Sequence, residues 1–203
     1  MKRIITIQHT QSVHHTNGMI GSWTDWDLTD LGKEQANNIG IKLREELSKD
    51  SVYVMYSSDL KRAKQTAEIV GEHLNLKPII NEALRERNLG SAVGKSVQWL
   101  RENQTAWEKT IDDRCIPDAE SRRETWNRLE PFYNEIMSSD EENIIIVSHG
   151  DTLSIFNAMW LGLKPEELNN CDLFGLAGGV SYFIEDNSGK HIIKRLSDMS
   201  YVK

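Results

Sequence analysis

Short runs of apolar residues alternate along the chain with longer stretches in which apolar positions recur every three or four residues. The short runs predict β-strands, and the longer stretches predict amphipathic helices. Strands are predicted at residues 2–8, 51–56, 77–80, 143–148, 180–185 and 191–196. Helices are predicted from residues 29–30 to about 48, from a cap at 57–59 to about 74, and at 96–110, 120–137 and 151–161.

The order of these elements predicts the class of fold. Repeated strand–helix units form mainly parallel sheets with helices on both faces. Strand 143–148 (NIIIVS) is apolar enough to be buried on both faces. The last two strands flank the turn-forming residues 186–190, which predict an antiparallel hairpin at the sheet edge. We therefore expect an α/β fold, a three-layer αβα sandwich, and a single domain over residues 1–203, because the pattern has no linker-like break.

Composition narrows the class of protein further. The chain has 203 residues, 38% of them hydrophobic, and 24 Lys+Arg against 31 Asp+Glu give a net charge of −7. This composition is typical of a globular protein rather than a disordered one. The acidic balance argues against nucleic acid as a partner. Membrane insertion is not expected, since every apolar run is far shorter than the ~20 residues that cross a bilayer.

The terminal segment and the cysteines predict the compartment. Residues 1–3 resemble the start of a signal peptide, but Thr6 and Gln8 interrupt the apolar run that follows. Cys115 and Cys171 lack the spacing of a metal site or a disulfide framework. We expect a cytoplasmic protein, and the sequence leaves its oligomeric state open between a monomer and a homodimer.

Reactive and anion-binding side chains follow several of the predicted strands. His9 comes directly after the first strand and His149 after strand 143–148, while Arg62 lies early in the helix after the second strand. Glu86, between two arginines, follows the third strand. The carboxyl ends of parallel strands meet at one edge of a sheet, which is where ligands bind in such folds.

This set of groups fits phosphoryl transfer. A neutral imidazole can act as a nucleophile, and a guanidinium matches phosphoryl oxygens. Two predicted helix N-termini add backbone N–H donors for an anion, and a carboxylic acid can protonate a leaving alkoxide. Acyl transfer is disfavoured, because the chain has no Gly-x-Ser-x-Gly motif.

Five motifs in order resemble the histidine phosphatase superfamily, in its phosphoglycerate mutase-like branch. They are residues 7–12 (IQHTQS) with 21–25 (GSWTD) and 28–36 (LTDLGKEQA), then 57–67 (SSDLKRAKQTA), 84–90 (LRERNLG), 117–121 (PDAES) and 147–151 (VSHGD). The resemblance spans about residues 4–153 and implies the phosphoglycerate mutase-like form of the sandwich. It also implies a small phosphorylated substrate and no metal or organic cofactor.

The resemblance implies roles for individual residues. His9 would be the nucleophile that becomes phosphohistidine, and Glu86 would be the general acid. The phosphoryl group or substrate would be bound by the remaining site residues, which are Gln8, Arg62, His149, His15, Gly21, Ser22 and Gly150. The expected activity is hydrolysis of a small phosphorylated metabolite. We also place Trp23 at the rim of the pocket as a hypothesis, because its loop follows the nucleophile.

The motif around the nucleophile departs from the family, which normally has Arg-His-Gly there. Gln8-His9-Thr10 replaces the arginine by a neutral amide, so another cation is needed for full phosphate affinity. The candidates are Arg85, Arg87, Arg122, Arg123, His14 and His15, of which His15 stands where the family usually has Asn.

Three alternatives to the phosphatase are open. His9, His14 and His15, with His149, could be a metal cluster; we expect no metal site, because adjacent side chains on a regular helix or strand point apart and no cysteine joins them. A degenerate member of the family could bind a phosphorylated ligand without turnover, which Gln8 favours. A phosphoglycerate mutase-type phosphotransferase is the third. The interval 90–143 is predicted to hold only two helices, which resembles the shorter phosphatases.

Overall fold

The computed structural model describes residues 1–105 and 107–203, and its strands form one six-stranded mixed sheet. The strands are β1 (Arg3–Gln8), β2 (Tyr53–Ser57), β3 (Ile79–Ile80), β4 (Asn143–Ser148), β5 (Val180–Glu185) and β6 (His191–Asp198). Their spatial order is β3-β2-β4-β1-β5-β6. β1 to β4 run parallel to one another, whereas β5 is antiparallel to β1 and β6 to β5. The predicted parallel sheet and its antiparallel edge hairpin are confirmed.

Helices cover both faces of this sheet. They are α1 (His14–Asn17), α2 (Asp30–Glu46), α3 (Lys61–Leu74), α4 (Val97–Asn103), α5 (Arg122–Ser138) and α6 (Gly150–Trp160). Short 3₁₀ turns occur at Glu82–Leu84, Gly90–Ala92, Pro165–Asn169 and Met199–Val202. The three-layer αβα arrangement is therefore confirmed.

The two halves of the core follow from the alternation of side chains along the strands. Ile144 and Ile146 of β4 pack against α5 and α6 in one cluster. Ile145 and Val147 of the same strand pack against α2 and α3 in the other cluster. All six residues of β4 are buried, as its apolar sequence predicts. Because β4 lies between β2 and β1, the three strands end side by side at the centre of the molecule.

Local signals explain where the helices begin. The Ser121 side chain accepts a hydrogen bond from the Glu124 N–H, and Glu124 binds back to the Ser121 N–H, forming a capping box at α5. Thr29 caps α2 by accepting from the Gly32 N–H at 3.0 Å. The cap predicted for α3 at residues 57–59 is displaced, since that helix begins at Lys61. Ser58 instead accepts from the Leu60 N–H.

The helix predicted at residues 96–110 is too long. α4 ends at Asn103, and residue 106 lies outside the described residues. Beyond it, the Asp113 carboxylate accepts hydrogen bonds from the N–H groups of Lys109 and Thr110 at 2.8 and 2.7 Å. A side chain that binds backbone N–H groups in this way competes with helix formation.

Two further observations concern membrane-spanning helices and cysteines. Within the described residues, none of the helices combines the length and the apolar character that crossing a bilayer requires. Cys115 is buried, Cys171 is exposed, and both are free thiols.

Candidate active site

His9 lies at the end of β1 with one ring nitrogen directed into a pocket. Its Nδ1 is 2.8 Å from the Thr10 carbonyl oxygen, which can only accept, so Nδ1 carries the proton. Nε2 therefore presents a lone pair, toward which Arg62 Nε donates at 3.1 Å. The Thr10 hydroxyl donates to the Gly32 carbonyl at 2.7 Å, which ties this turn to α2. The backbone thus fixes the tautomer that a nucleophilic Nε2 requires.

Arg62, in the first turn of α3, is 1% exposed and held from two sides. Its Nη1 and Nη2 donate to the carbonyl oxygens of Thr24 and Ser22, each at 2.8 Å. Burial lowers the pKa of Arg62 to about 10, so the guanidinium stays charged at neutral pH. Since a guanidinium has five N–H donors, these contacts leave donors free for a phosphoryl group.

His149 follows β4 and faces His9, with the ring centroids 5.1 Å apart. Its Nε2 lies 2.9 Å from the Ser58 hydroxyl. Its Nδ1 is buried and has no hydrogen-bond partner among the described residues. Buried polar atoms are nearly always hydrogen-bonded in folded proteins. The orphaned Nδ1 therefore indicates a place where a ligand atom binds.

Glu86 also lines the pocket. Its Oε1 accepts from the Arg87 N–H at 2.9 Å, and its backbone carbonyl accepts from the Trp23 indole N–H at 2.6 Å. Burial, followed by the nearby Asp151 carboxylate, raises the pKa of Glu86. A raised pKa keeps a carboxyl group protonated and able to act as a general acid.

The N-terminus of α6 forms part of the pocket lining. A Cβ placed on Gly150 would lie 2.7 Å from the Phe174 ring and 3.4 Å from the Gln8 side-chain nitrogen. Gln8, Gly150 and Phe174 all line the pocket. Glycine at residue 150 therefore allows the Gln8 amide and the Phe174 ring to approach the helix N-terminus closely.

His14 and His15, both on α1, also line the pocket. The His15 ring is parallel to that of His9 with the centroids 5.5 Å apart, and the His14 and His15 centroids are 4.0 Å apart. Gly21 makes room for the His14 ring, because a Cβ on residue 21 would lie 2.7 Å from its Nε2. The expectation that these two adjacent rings point apart is wrong, since the chain turns tightly at residues 14–17.

Burial lowers the pKa of all four imidazoles at this site. The pKa of His9 and that of His149 fall well below the usual value, because both rings are buried and Arg62 is close. Burial lowers the pKa of His14 to about 3, and that of His15 also falls. The rings are therefore neutral near pH 7 in the free protein. His14 and His15 do not supply the positive charge that Gln8 lacks.

The arginines considered as substitutes for that charge are already paired. Arg87 lines the pocket, but it contacts Glu108 at 2.6 Å and Asp151 at 3.0 Å. The other three lie outside the pocket lining, in ion pairs of Arg85 with Asp59, Arg122 with Asp172, and Arg123 with Asp112 and Glu166. Arg62 is thus the guanidinium closest to His9 in the described part of the chain.

The pocket has a volume of about 420 Å³, and both polar and apolar residues line it. The site residues among them are Gln8, His9, His15, Gly21, Ser22, Arg62, Glu86 and Gly150, which are the predicted site residues except His149. The apolar lining residues are Met19, Ile20, Leu89, Val97, Leu100 and Phe174. The fold therefore brings all nine predicted site residues together, and their catalytic and binding roles stay predictions.

Some functional side chains carried no clear signal in the sequence. Ser58, which orients His149, was visible only as a helix-cap candidate. Phe174 belongs to a segment without periodic pattern. Trp23 was placed at the pocket rim, but it is not in the pocket lining; its indole donates to the Glu86 carbonyl, and the Arg85 guanidinium lies 4.6 Å from its ring centroid.

An imidazole lone pair therefore lies beside a buried guanidinium where adjoining parallel strands end, which is where ligands bind in α/β folds. A family model described as histidine phosphatase superfamily (branch 1) matches residues 4–198. The chain belongs to this superfamily.

Relatives within the superfamily include both phosphatases and mutases by name. A putative phosphoserine phosphatase 2 from Hydrogenobacter thermophilus is 32% identical over 174 residues, which cover 84% of each chain. A 2,3-bisphosphoglycerate-dependent phosphoglycerate mutase from Cytophaga hutchinsonii is 30% identical over 213 residues, which cover 100% of this chain and 94% of the relative. The solved structure of Bacillus stearothermophilus YhfR shares the fold, with a TM-score of 0.83 at 22% identity over 100% of both chains.

Proposed function

We propose that this protein hydrolyses small phosphomonoesters through a phosphohistidine at His9. The observation that carries this proposal is the unprotonated Nε2 of His9, 3.1 Å from the charged Arg62 Nε in a pocket that also holds Glu86. Nε2 would attack phosphorus in line with the ester oxygen, forming an N–P bond as the P–O bond breaks. Glu86 would donate its proton to the leaving alkoxide.

The second half of the reaction uses the same groups in reverse. Glu86, now a carboxylate, would take a proton from a water molecule that attacks the phosphohistidine. The N–P bond breaks, phosphate leaves, and His9 returns to its neutral tautomer because Nδ1 stays bonded to Thr10. Arg62, the Gln8 amide and the orphaned Nδ1 of His149 would bind the phosphoryl oxygens, with the N–H groups of Gly150 and Asp151 at the start of α6.

The shape and charge of the pocket support an uncharged, partly apolar alcohol as the leaving half of the ester. The pocket lining contains two cations, Arg62 and Arg87, and two acids, Glu86 and Asp151. Arg87 is neutralised by its two carboxylate partners. A bisphosphorylated or carboxylate-bearing substrate of the mutase type needs more positive charge than this. The apolar residues of the lining suit a hydrocarbon or aromatic group instead.

A panel of phosphomonoesters with three forms of the protein tests the proposal. We expect the wild type to release phosphate faster from phenyl phosphate than from 3-phosphoglycerate, without forming 2-phosphoglycerate. His9→Ala is expected to abolish turnover, whereas Gln8→Arg preserves or raises it by adding a charged donor. The phosphoenzyme trapped in acid quench is expected to be acid-labile, as phosphohistidine is.

Each other outcome identifies an alternative. Isomer formation from 3-phosphoglycerate in excess of phosphate release would identify a mutase. Turnover in Gln8→Arg but in none of the wild-type assays would identify a degenerate, ligand-binding member of the superfamily. An acid-stable phosphoenzyme would exclude His9 as the attacked residue.

We also propose that the protein works in the cytoplasm, as a monomer or a homodimer. Two free thiols, one of them exposed, support a reducing compartment. Light scattering on the purified protein measures the oligomeric state directly, and fractionation of expressing cells tests the compartment.

A further inference from the structure

Three imidazoles meet on one side of the pocket, and the proposed chemistry uses only one of them as nucleophile. One ring nitrogen each from His9, His14 and His15 lies within 4.8 Å of the other two. The rings come from the residue after β1 and from α1, and five residues separate these two elements. A zinc ion bound by nitrogen ligands at about 2.0–2.1 Å in tetrahedral geometry needs ligand atoms about 3.4 Å apart. The cluster is therefore within a small side-chain movement of a metal site.

Two of the three rings, those of His9 and His14, have the hydrogen bonds that are usual for metal-binding histidines. His9 Nδ1 bonds to the Thr10 carbonyl at 2.8 Å, and His14 Nδ1 bonds to the Ser12 hydroxyl at 2.5 Å. Each of these bonds leaves Nε2 available, and histidine ligands usually donate their second ring N–H to such a partner. His15 is exposed, and its Nδ1 accepts only a 3.2 Å bond from the Ser12 N–H, so its ring can adjust to an ion.

The charged side chains that line the pocket balance one another, with Arg62 and Arg87 against Glu86 and Asp151. An ion at the cluster would take the place of the Arg62 Nε–H at His9 Nε2. The pocket is open to solvent on its far side, so a water molecule could complete four ligands.

We propose that His9, His14 and His15 bind a divalent transition-metal ion of the zinc class, and that this ion inhibits the protein by occupying the nucleophile. Three neutral imidazoles suit Zn²⁺ and Co²⁺ far better than Mg²⁺ or Ca²⁺, which prefer oxygen ligands. The metal and the phosphate ester would compete, because both need Nε2 of His9. The inhibition goes beyond the proposed hydrolysis, while metal binding itself is independent of any turnover.

Titration of the apo protein with Co²⁺ tests the binding step without an activity assay. We expect one equivalent to give the intense visible absorption of tetrahedral cobalt, and Zn²⁺ to displace it. His14→Gln is expected to weaken Co²⁺ binding at least tenfold. His73→Gln is the matched control, because this histidine lies on α3, bonds to Asn37 and is outside the cluster. Unchanged Co²⁺ affinity in His14→Gln, or octahedral cobalt only, would overturn the proposal.

Competition tests the inhibitory step. Inorganic phosphate is expected to weaken Co²⁺ binding to the wild type in proportion to its own occupancy. With phenyl phosphate as substrate, Zn²⁺ is expected to raise KM without lowering kcat, and the ratio of activities with and without Zn²⁺ should return toward one in His14→Gln. Zinc inhibition of equal strength in His14→Gln and His73→Gln would contradict inhibition through the histidine cluster. If no ester is hydrolysed at all, the cobalt spectra still decide the metal site while the proposed hydrolysis fails separately.

Discussion

At the scale of single residues, the pKa values of His9 and Glu86 are shifted in opposite directions from those of the free side chains. Burial lowers the pKa of His9 and raises that of Glu86. Both shifts favour a nucleophile without a proton beside an acid that keeps its proton. The same burial that forms the pocket thus prepares both groups for phosphoryl transfer.

These shifts predict the pH dependence of hydrolysis. Because His9 must be neutral, its lowered pKa moves the acid limb of kcat/KM well below pH 6.5. Because Glu86 must be protonated, activity falls as pH rises through its raised pKa, above the usual 4.5. Glu86→Gln is expected to lower kcat for an alkyl phosphate about 100-fold and to remove the alkaline limb.

p-Nitrophenyl phosphate provides the control for that prediction. Nitrophenolate leaves without protonation, so Glu86→Gln should slow its phosphorylation step much less than it slows that of an alkyl ester. Pre-steady-state release of nitrophenolate measures this step by itself. Equal losses for both esters would mean that Glu86 does not protonate the leaving group.

Ser58 is a positioning residue for His149. Its hydroxyl is the hydrogen-bond partner of His149 Nε2 at 2.9 Å, which fixes the ring while Nδ1 has no partner among the described residues. Loss of one such bond is worth about 1 kcal/mol, so Ser58→Ala should raise the inhibition constant of phosphate about fivefold, and Ser58→Thr should restore it. Ser57→Ala is the matched control, because that buried hydroxyl bonds to the Ser58 carbonyl instead. Equal effects in both alanine variants would indicate a structural role only.

At the scale of the elements, the end of α5 depends on Lys2, the residue before β1. Lys2 is 7% exposed, and its Nζ donates to the carbonyl oxygens of Ser139 and Glu141, each at 2.7 Å, and to the Ser139 hydroxyl at 3.1 Å. Ser139 is the C-terminal cap of α5. A cation at this position satisfies carbonyl groups that the helix leaves free and complements its dipole.

Replacing Lys2 should therefore destabilise the fold, although it is only the second residue of the chain. Lys2→Met keeps the side-chain length but loses the charged hydrogen bonds, and we expect a decrease of about 2–3 kcal/mol in the free energy of unfolding. Urea denaturation measures this change. Arg3→Met, at the exposed neighbouring residue, should change stability by less than about 0.5 kcal/mol. Similar losses of stability in Lys2→Met and Arg3→Met would show that the hydrogen bonds of Lys2 to the end of α5 contribute nothing.

The elements also show which parts of the structure the sequence determines locally. Strand 143–148 and the capped helix α5 were predictable, because apolar runs and capping boxes act within a few residues. The end of α4 was not, because just beyond it the Thr105 N–H donates to the Cys115 carbonyl, ten residues further along the chain. The site residues at strand ends were predictable from topology together with the family motifs. The convergence of His14 with His15 was not, because it depends on a four-residue turn and on the missing Cβ of Gly21.

At the scale of the whole molecule, the pocket depends on parts of the chain that are distant in sequence. His9 follows β1, Arg62 lies on α3 after β2, and His149 follows β4, so the pocket exists only when the central strands are paired. Phe174 reaches the same pocket from more than 160 residues beyond Gln8. Such contacts cannot be predicted from local patterns, because they are set by sheet order.

This dependence predicts how a phosphate analogue affects unfolding. Orthovanadate at 100 times its dissociation constant should add about 2.7 kcal/mol to the stability of the native state, which raises Tm by about 5–10 °C at this chain length. Arg62→Met, measured against its own ligand-free Tm, should lose most of this increase, whereas Arg101→Met on the exposed side of α4 should keep it. If residues 1–203 form one domain, as we expect, far-UV circular dichroism and tryptophan fluorescence will report a single coincident transition that shifts as a whole. A vanadate-sensitive transition separate from a vanadate-insensitive one would instead mean that the pocket belongs to a part of the chain that unfolds independently of the rest.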